Sequence, residues 1–172
     1  MSFKSLEAAT QADVLRELLQ HWHDAKGSRR MPAWSDIRPA SIKSVLPFVW
    51  SWKYDRQADR FTGRLVGDRI HKLFGANNNG RSIEDCFPRN YCAVIVPLFK
   101  RIVKTPEFYH EQGPVYAHLG SACTGERVAL PLADDGGNGD GIIGATFFTL
   151  GGPLAPEDTA LTTTTETWFP LD

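Results

Sequence analysis

Apolar residues recur at helical spacing near the start of the chain, at Val14, Leu15, Leu18, Leu19, Trp22 and Ala25. This predicts an amphipathic helix over residues 11–26. Thr10-Gln11-Ala12-Asp13 reads as a capping box at its start, and Gly27 as its stop. A helix with one apolar stripe must pack on something outside itself. That partner is either the domain's own sheet or a second copy of the helix. The period then changes. Phe48, Trp50, Trp52 and Tyr54 alternate with smaller or polar residues, the period-two mark of a half-buried strand. Trp50, Trp52 and Tyr54 therefore share one face. After a polar turn at 55–60, residues 61–67 read as the hairpin partner, with Arg64 and Val66 on a common face.

A short helical turn is expected at 70–74, stopped by Gly75, and another just after Ser82. Residues 88–104 read as a helix with Val94, Ile95, Leu98 and Ile102 on one side, and Pro97 inside it should kink it. Beyond Pro106 the pattern is β-rich, with strands expected around 107–112, 114–121, 126–132 and 141–150. A Gly- and Asp-rich hairpin loop at 134–141 joins the last two. Residues 153–172 show no clear pattern. The element order predicts an α+β domain with an antiparallel sheet and short helices on one face. The expected organisation is a flanking helix and linker over 1–30, the domain over 31–152 and a tail over 153–172.

Composition narrows the class. The chain has 172 residues, of which 42% are hydrophobic and 23% charged, enough for one core and unlike a disordered or collagen-like chain. The net charge of −1 hides an asymmetry: residues 1–60 and 61–120 each carry +3, and residues 121–172 carry −7, with Arg127 their only base. The bases are interleaved with acids and form no run, which argues against a nucleic-acid partner. Cys86, Cys92 and Cys123 have no zinc-knuckle spacing and read as reduced thiols, so a cytoplasmic location is expected. The longest apolar run, residues 92–99, falls far short of the roughly 20 residues of a membrane span, and the first residues do not read as a secretory signal.

Catalytic and metal constellations are hard to find. Gly120-Ser121-Ala122-Cys123 lacks the spacing of a nucleophile elbow. His21 and His23 are two apart on a helix and do not face each other. The loop from Asp134 to Asp140 has no closing carboxylate at its twelfth position, which is Ala145, so calcium is not expected. Arg60 and Arg64 have the spacing of half a cyclic-dinucleotide motif whose second half is missing. No catalytic residue and no metal ligand is assigned.

Several short motifs run in order from residue 22 to 150. They are Trp22, Gly27, Met31-Pro32-Ala33, Asp36-Ile37-Arg38-Pro39 and Leu46-Pro47; then Arg64-Leu65-Val66-Gly67, Ile70, Phe74-Gly75 and Gly80-Arg81-Ser82-Ile83; and finally Leu130-Pro131-Leu132-Ala133-Asp134-Asp135-Gly136 and Ile142-Ile143-Gly144. The ordered set resembles a bacterial family of stand-alone PAS (Per-Arnt-Sim) domains. The resemblance implies a five-stranded antiparallel sheet in the order 2-1-5-4-3, with short helices on one face and an N-terminal flanking helix. It also implies a non-catalytic sensory or regulatory module that binds a small molecule or a partner protein. The signal would pass to a separate signalling chain. Homodimers through the flanking helix are expected, with Val14, Leu15, Leu18, Leu19 and Trp22 at the interface.

The candidate pocket comprises Trp50, Trp52, Tyr54, Arg64, Val66, Phe74, Tyr91, Ile95, Phe99 and His118. Which sheet face holds it stays open at this point. Arg64 is the suggestive residue, since a guanidinium in mid-strand needs an anion if it is buried. An internal ion pair to Asp36, Asp68 or Glu84 is the alternative. The flavin signature is missing, because Cys86 lies in Glu84-Asp85-Cys86-Phe87 with no base directly after it. The haem signature is missing too, because residues 88–104 hold no His. No cofactor is therefore assigned. Two other functions remain in view: a small-molecule-modifying enzyme using Arg64 and His118, and a protein-binding scaffold with a filled core.

Overall fold

The computed structural model describes residues 2–75, 77–116, 123–150 and 164–171, with the side chain of Phe74 excepted. Its centre is one antiparallel sheet of six strands: β1 (Val49–Asp55), β2 (Arg60–Val66), β3 (Glu107–Pro114), β4 (Cys123–Leu132), β5 (Gly141–Leu150) and β6 (Thr165–Pro170), ordered β2-β1-β5-β4-β3-β6. The first five stand in the expected order 2-1-5-4-3. The sixth comes from the segment read as patternless and pairs along β3 from Gln112↔Thr165 to Glu107↔Pro170.

Helices cover both faces. On one side lie α1 (Ser2–Ala9) and α2 (Asp13–Lys26), and on the other α3 (Asp68–Phe74), α4 (Ile83–Cys86) and α5 (Arg89–Lys104). Two covered faces explain why residues 126–133 are all buried rather than alternating. Side chains still alternate between two cores. Val49, Val128, Leu130 and Ile143 pack beneath α1 and α2, whereas Trp50, Trp52, Ala129 and Ile142 pack beneath α3–α5.

The apolar seam of α2 closes on its own sheet. Leu15, Leu18, Leu19 and Trp22 have no exposed surface within the single chain, and Trp22 Nε1–H donates to the Pro131 carbonyl at 2.8 Å. The expected dimer seam is thereby corrected: those four side chains are inside the protomer, and Val14 packs at the margin of the same core. The capping box is corrected as well. The Thr10 hydroxyl donates back to the Leu6 carbonyl at 2.9 Å, and no side chain caps α2 from within. The cap comes from β4: Glu126 Oε1 accepts from Gln11 N–H at 2.8 Å and Oε2 from Ala12 N–H at 2.7 Å. A carboxylate at a helix N-terminus meets both the orphan N–H groups and the positive end of the helix dipole.

The hairpin of β1 and β2 contains a bulge at Ser51/Trp52. Opposite Trp50 stands Val66 and opposite Ser51 stands Leu65, but opposite Trp52 stands Gly63, so Arg64 has no partner in the ladder. A bulge breaks the period-two rule on one strand. It separates Arg64 from the face that Val66 occupies. Gly63 has its own reason. A Cβ there would lie 2.1 Å from the Asn78 carbonyl oxygen, so only glycine lets the 77–82 segment press against β2.

Candidate functional site

Beneath α3–α5 a crevice opens on the sheet. Its walls are Trp50 and Trp52 from β1, Ile70 from α3, Ile83 from α4 and Tyr91, Ile95 and Phe99 from α5, with Phe87, Asn78 and Tyr116 from connecting segments. Arg127 of β4 lies among them. The indole of Trp50 stacks on Phe99 at 5.2 Å and 21° between planes. Gly144 makes room for that indole, since a Cβ there would lie 2.4 Å from the ring. Free space amounts to about 20 Å³, room for about one water.

The polar part of the site is a connected network on an otherwise apolar face. Arg127 is 5% exposed, and its Nη1 donates to Glu111 Oε2 at 2.9 Å, directly across the β3–β4 ladder. Its Nε donates to Thr146 Oγ1 at 3.2 Å. The same hydroxyl oxygen lies 2.9 Å from the Tyr116 hydroxyl and accepts from Trp50 Nε1–H at 3.0 Å. The guanidinium also sits 4.6 Å over the Tyr116 ring. Tyr116 holds φ at 66°, a left-handed backbone that a bulky residue adopts only when its surroundings fix it. Two atoms stand outside the network. Among the described residues, Arg127 Nη2 and Asn78 Oδ1 are buried without a hydrogen-bond partner.

Electrostatics follow from this packing. Burial opposes the charge on Arg127 more than any other single influence, but the Glu111 carboxylate and the Tyr91, Tyr116 and Tyr109 hydroxyls together outweigh it and hold the guanidinium charged. Burial pushes the Tyr91 and Tyr116 hydroxyls up, further than the nearby Arg127 pulls them down, so both stay protonated. On the opposite face Glu126 is held below the usual carboxylate range. Burial would raise it, but the hydrogen bonds from His110 and from the Ala12 and Gln11 amides prevail.

Five of the expected pocket residues meet in the crevice: Trp50, Trp52, Tyr91, Ile95 and Phe99. Tyr54 and Val66 belong to the same core without lining it. The side chain of Phe74 and the whole of His118 lie outside the described residues. Arg64 is corrected. It is exposed at the bulge and rests 4.6 Å from the Trp34 ring, apart from the crevice and from each suggested acid. An enzyme built on an Arg64–His118 pair thus loses its cation. The cation at the site is Arg127, which sequence reasoning passed over. Its signal was present: a lone base in the acidic last third, inside the run Glu126-Arg127-Val128-Ala129-Leu130. Asn78 had only a turn signal.

Among the described residues no group of three or more His, Cys, Asp or Glu could hold a metal ion, and no helix is long and apolar enough to cross a membrane. A family model described as "PAS domain" matches residues 10–147. No curated protein and no solved structure matches the chain.

Proposed function

Because the chain belongs to the PAS domain family, a family of sensory and regulatory modules, we propose that it is a non-catalytic sensor that binds a small molecule in the crevice beneath α3–α5. Occupancy is relayed through the sheet to α2 and read there by a partner protein. One observation carries this reading. Glu126 and Arg127 are neighbours on β4, and their side chains leave on opposite faces. Arg127 ties the crevice to Glu111 of β3. Glu126 ties the start of α2 to His110 of β3, whose Nε2 lies 2.6 Å from Oε1. One buried ion pair and one buried hydrogen bond, made by two adjacent residues on each strand, thus couple opposite faces at one point of the β3–β4 ladder. A ligand that pulls Arg127 bends the same backbone that aims Glu126 at the helix. It shifts the populations of two arrangements to the extent that it binds one of them better.

The test is hydrogen exchange on the full chain carrying Glu111→Gln, which keeps the shape at the crevice and weakens its hold on Arg127. Faster exchange at the amides of Gln11, Ala12 and the first turn of α2 is expected. Exchange changes confined to β3, β4 and α5 would overturn the relay.

A second reading has its own support. Free space of about 20 Å³ is small beside a drug-sized ligand pocket. On that reading the core is filled and the module acts only as a protein-binding scaffold. Native mass spectrometry separates the two: a reproducible co-purifying mass favours the sensor, and a clean apo mass favours the scaffold. Homodimerisation through the α2 seam is no part of either reading.

A further inference from the structure

We infer that the crevice selects a small, neutral, planar ligand with a carbonyl acceptor beside an N–H donor, the chemistry of a lactam or cyclic amide. This rests on the proposal that the crevice is a ligand site, and it names what that site accepts.

Three observations converge. The walls are largely aromatic and apolar, with Trp50 stacked on Phe99 among them. Such surfaces favour a flat body over a branched one. Next, two polar atoms of the lining are left over among the described residues, one of each kind. Arg127 Nη2 is a buried donor and Asn78 Oδ1 a buried acceptor, and both residues are at most 5% exposed. Buried polar atoms without partners are rare, and each keeps the full cost of leaving water until something meets it. A carbonyl oxygen would satisfy the first and an N–H the second, and a cis amide in a ring presents both along one edge.

Charge decides between otherwise similar ligands. Arg127 already has a carboxylate, Glu111, at 2.9 Å, so the buried pair sums to zero. A carboxylate ligand would bring a second anion to one guanidinium and leave a net negative charge buried. An ammonium ligand would face the guanidinium itself. Tyr91 and Tyr116 stay neutral and compensate neither. A neutral ligand adds hydrogen bonds without adding a charge to desolvate.

Size sets the price of entry. With the rings as they stand the space holds about one water. A six-membered ring must therefore part the Trp50–Phe99 stack or lift the segment carrying Asn78, which Gly63 keeps tight against β2.

The experiment titrates the full chain with 2-pyridone, benzoate and benzene. It follows the melting temperature and the Trp50 Nε1–H resonance, whose acceptor Thr146 Oγ1 also receives Arg127. The expected result is a dose-dependent rise in melting temperature and a shifted Trp50 signal with 2-pyridone, at least about ten-fold stronger than with either control. Asn78→Leu should weaken 2-pyridone about ten-fold and leave benzene unchanged. Equal binding of benzene reduces the site to an apolar void, tighter benzoate binding makes it an anion site, and no response to any probe leaves it to a single water. Each of these overturns the inference. Failure of the relay is distinguishable: 2-pyridone would then bind while exchange at α2 stays as in the free protein. Conversely, exchange at α2 that responds to Glu111→Gln while no probe binds sinks the ligand class alone.

Discussion

The substitution Glu126→Gln isolates the cap that β4 supplies to α2. In the native protein both carboxylate oxygens are engaged, Oε1 by Gln11 N–H and His110 Nε2, Oε2 by Ala12 N–H. The side chain is 6% exposed, so water cannot replace a lost partner. Glutamine keeps the shape and one oxygen. Its amide NH₂ then points at one backbone N–H, most simply that of Ala12, and two donors face each other. Hydrogen bonds to a charged acceptor contribute about 1.5–3 kcal/mol, and a stranded buried donor costs about 1–3 kcal/mol. Losing the charge at the helix start removes about a further 0.3–1 kcal/mol. The terms overlap, so a loss of roughly 2–4 kcal/mol is expected, out of the ~5–15 kcal/mol typical of a domain. Urea unfolding at pH 7 measures it as a fall in midpoint at constant slope. The pH dependence has a definite sign. Glu126 is held below its ordinary value of 4.5 in the folded state, so its stabilisation is fully present above that value and is lost as pH falls through the folded one. The gap between native protein and variant should therefore narrow as the pH is lowered below 4.5. A loss under ~0.5 kcal/mol at pH 7, or a gap that does not change on acidification, would refute the assignment of Glu126 as the cap.

Three further outcomes are expected. Arg127→Leu leaves Glu111 buried without its partner and should cost about 3–5 kcal/mol, whereas the double variant Arg127→Leu/Glu111→Leu recovers most of that; equal losses in urea unfolding would contradict the pairing. Leu18→Ala empties a fully buried position beneath α2 and should cost about 2–5 kcal/mol without changing the mass seen by light scattering. A folded variant that loses a dimer would restore the intermolecular seam. Trp168→Ala removes a ring that packs on Tyr109 at 4.8 Å and carries Arg101 at 3.8 Å, so about 1–2.5 kcal/mol and slow exchange of the β6 amides should be lost together.

What could be read from the chain alone follows the range of the interactions involved. The alternation of Trp50, Trp52 and Tyr54 is a property of one strand, and it placed all three on a single face. Arg64 misled because the bulge lies in the pairing of β1 with β2, and a pairing irregularity leaves no mark on either strand's own pattern. The cap of α2 was read locally as Thr10 to Asp13. Its real source, Glu126, stands 114 residues from Ala12, beyond any local motif. β6 was hidden because six residues, Thr-Glu-Thr-Trp-Phe-Pro, carry too little alternation to stand out after a run of threonines. Helix α1 was missed for a related reason. Leu6 is the one large apolar side chain it buries completely, and one residue makes no stripe.

The distant cap also orders events during synthesis. Residues 13–26 leave the ribosome long before Glu126 and Pro131 exist, yet these supply the cap of α2 and the acceptor for Trp22, 109 residues away. Until β4 is made, Leu15, Leu18, Leu19 and Trp22 have no sheet to cover them. At roughly 5–20 residues per second this interval lasts about 5–20 seconds. The nascent chain therefore offers an amphipathic, apolar-faced helix to its surroundings for far longer than a local hairpin would. A chaperone that holds such a helix has its opportunity then, before the protein has a pocket to fill.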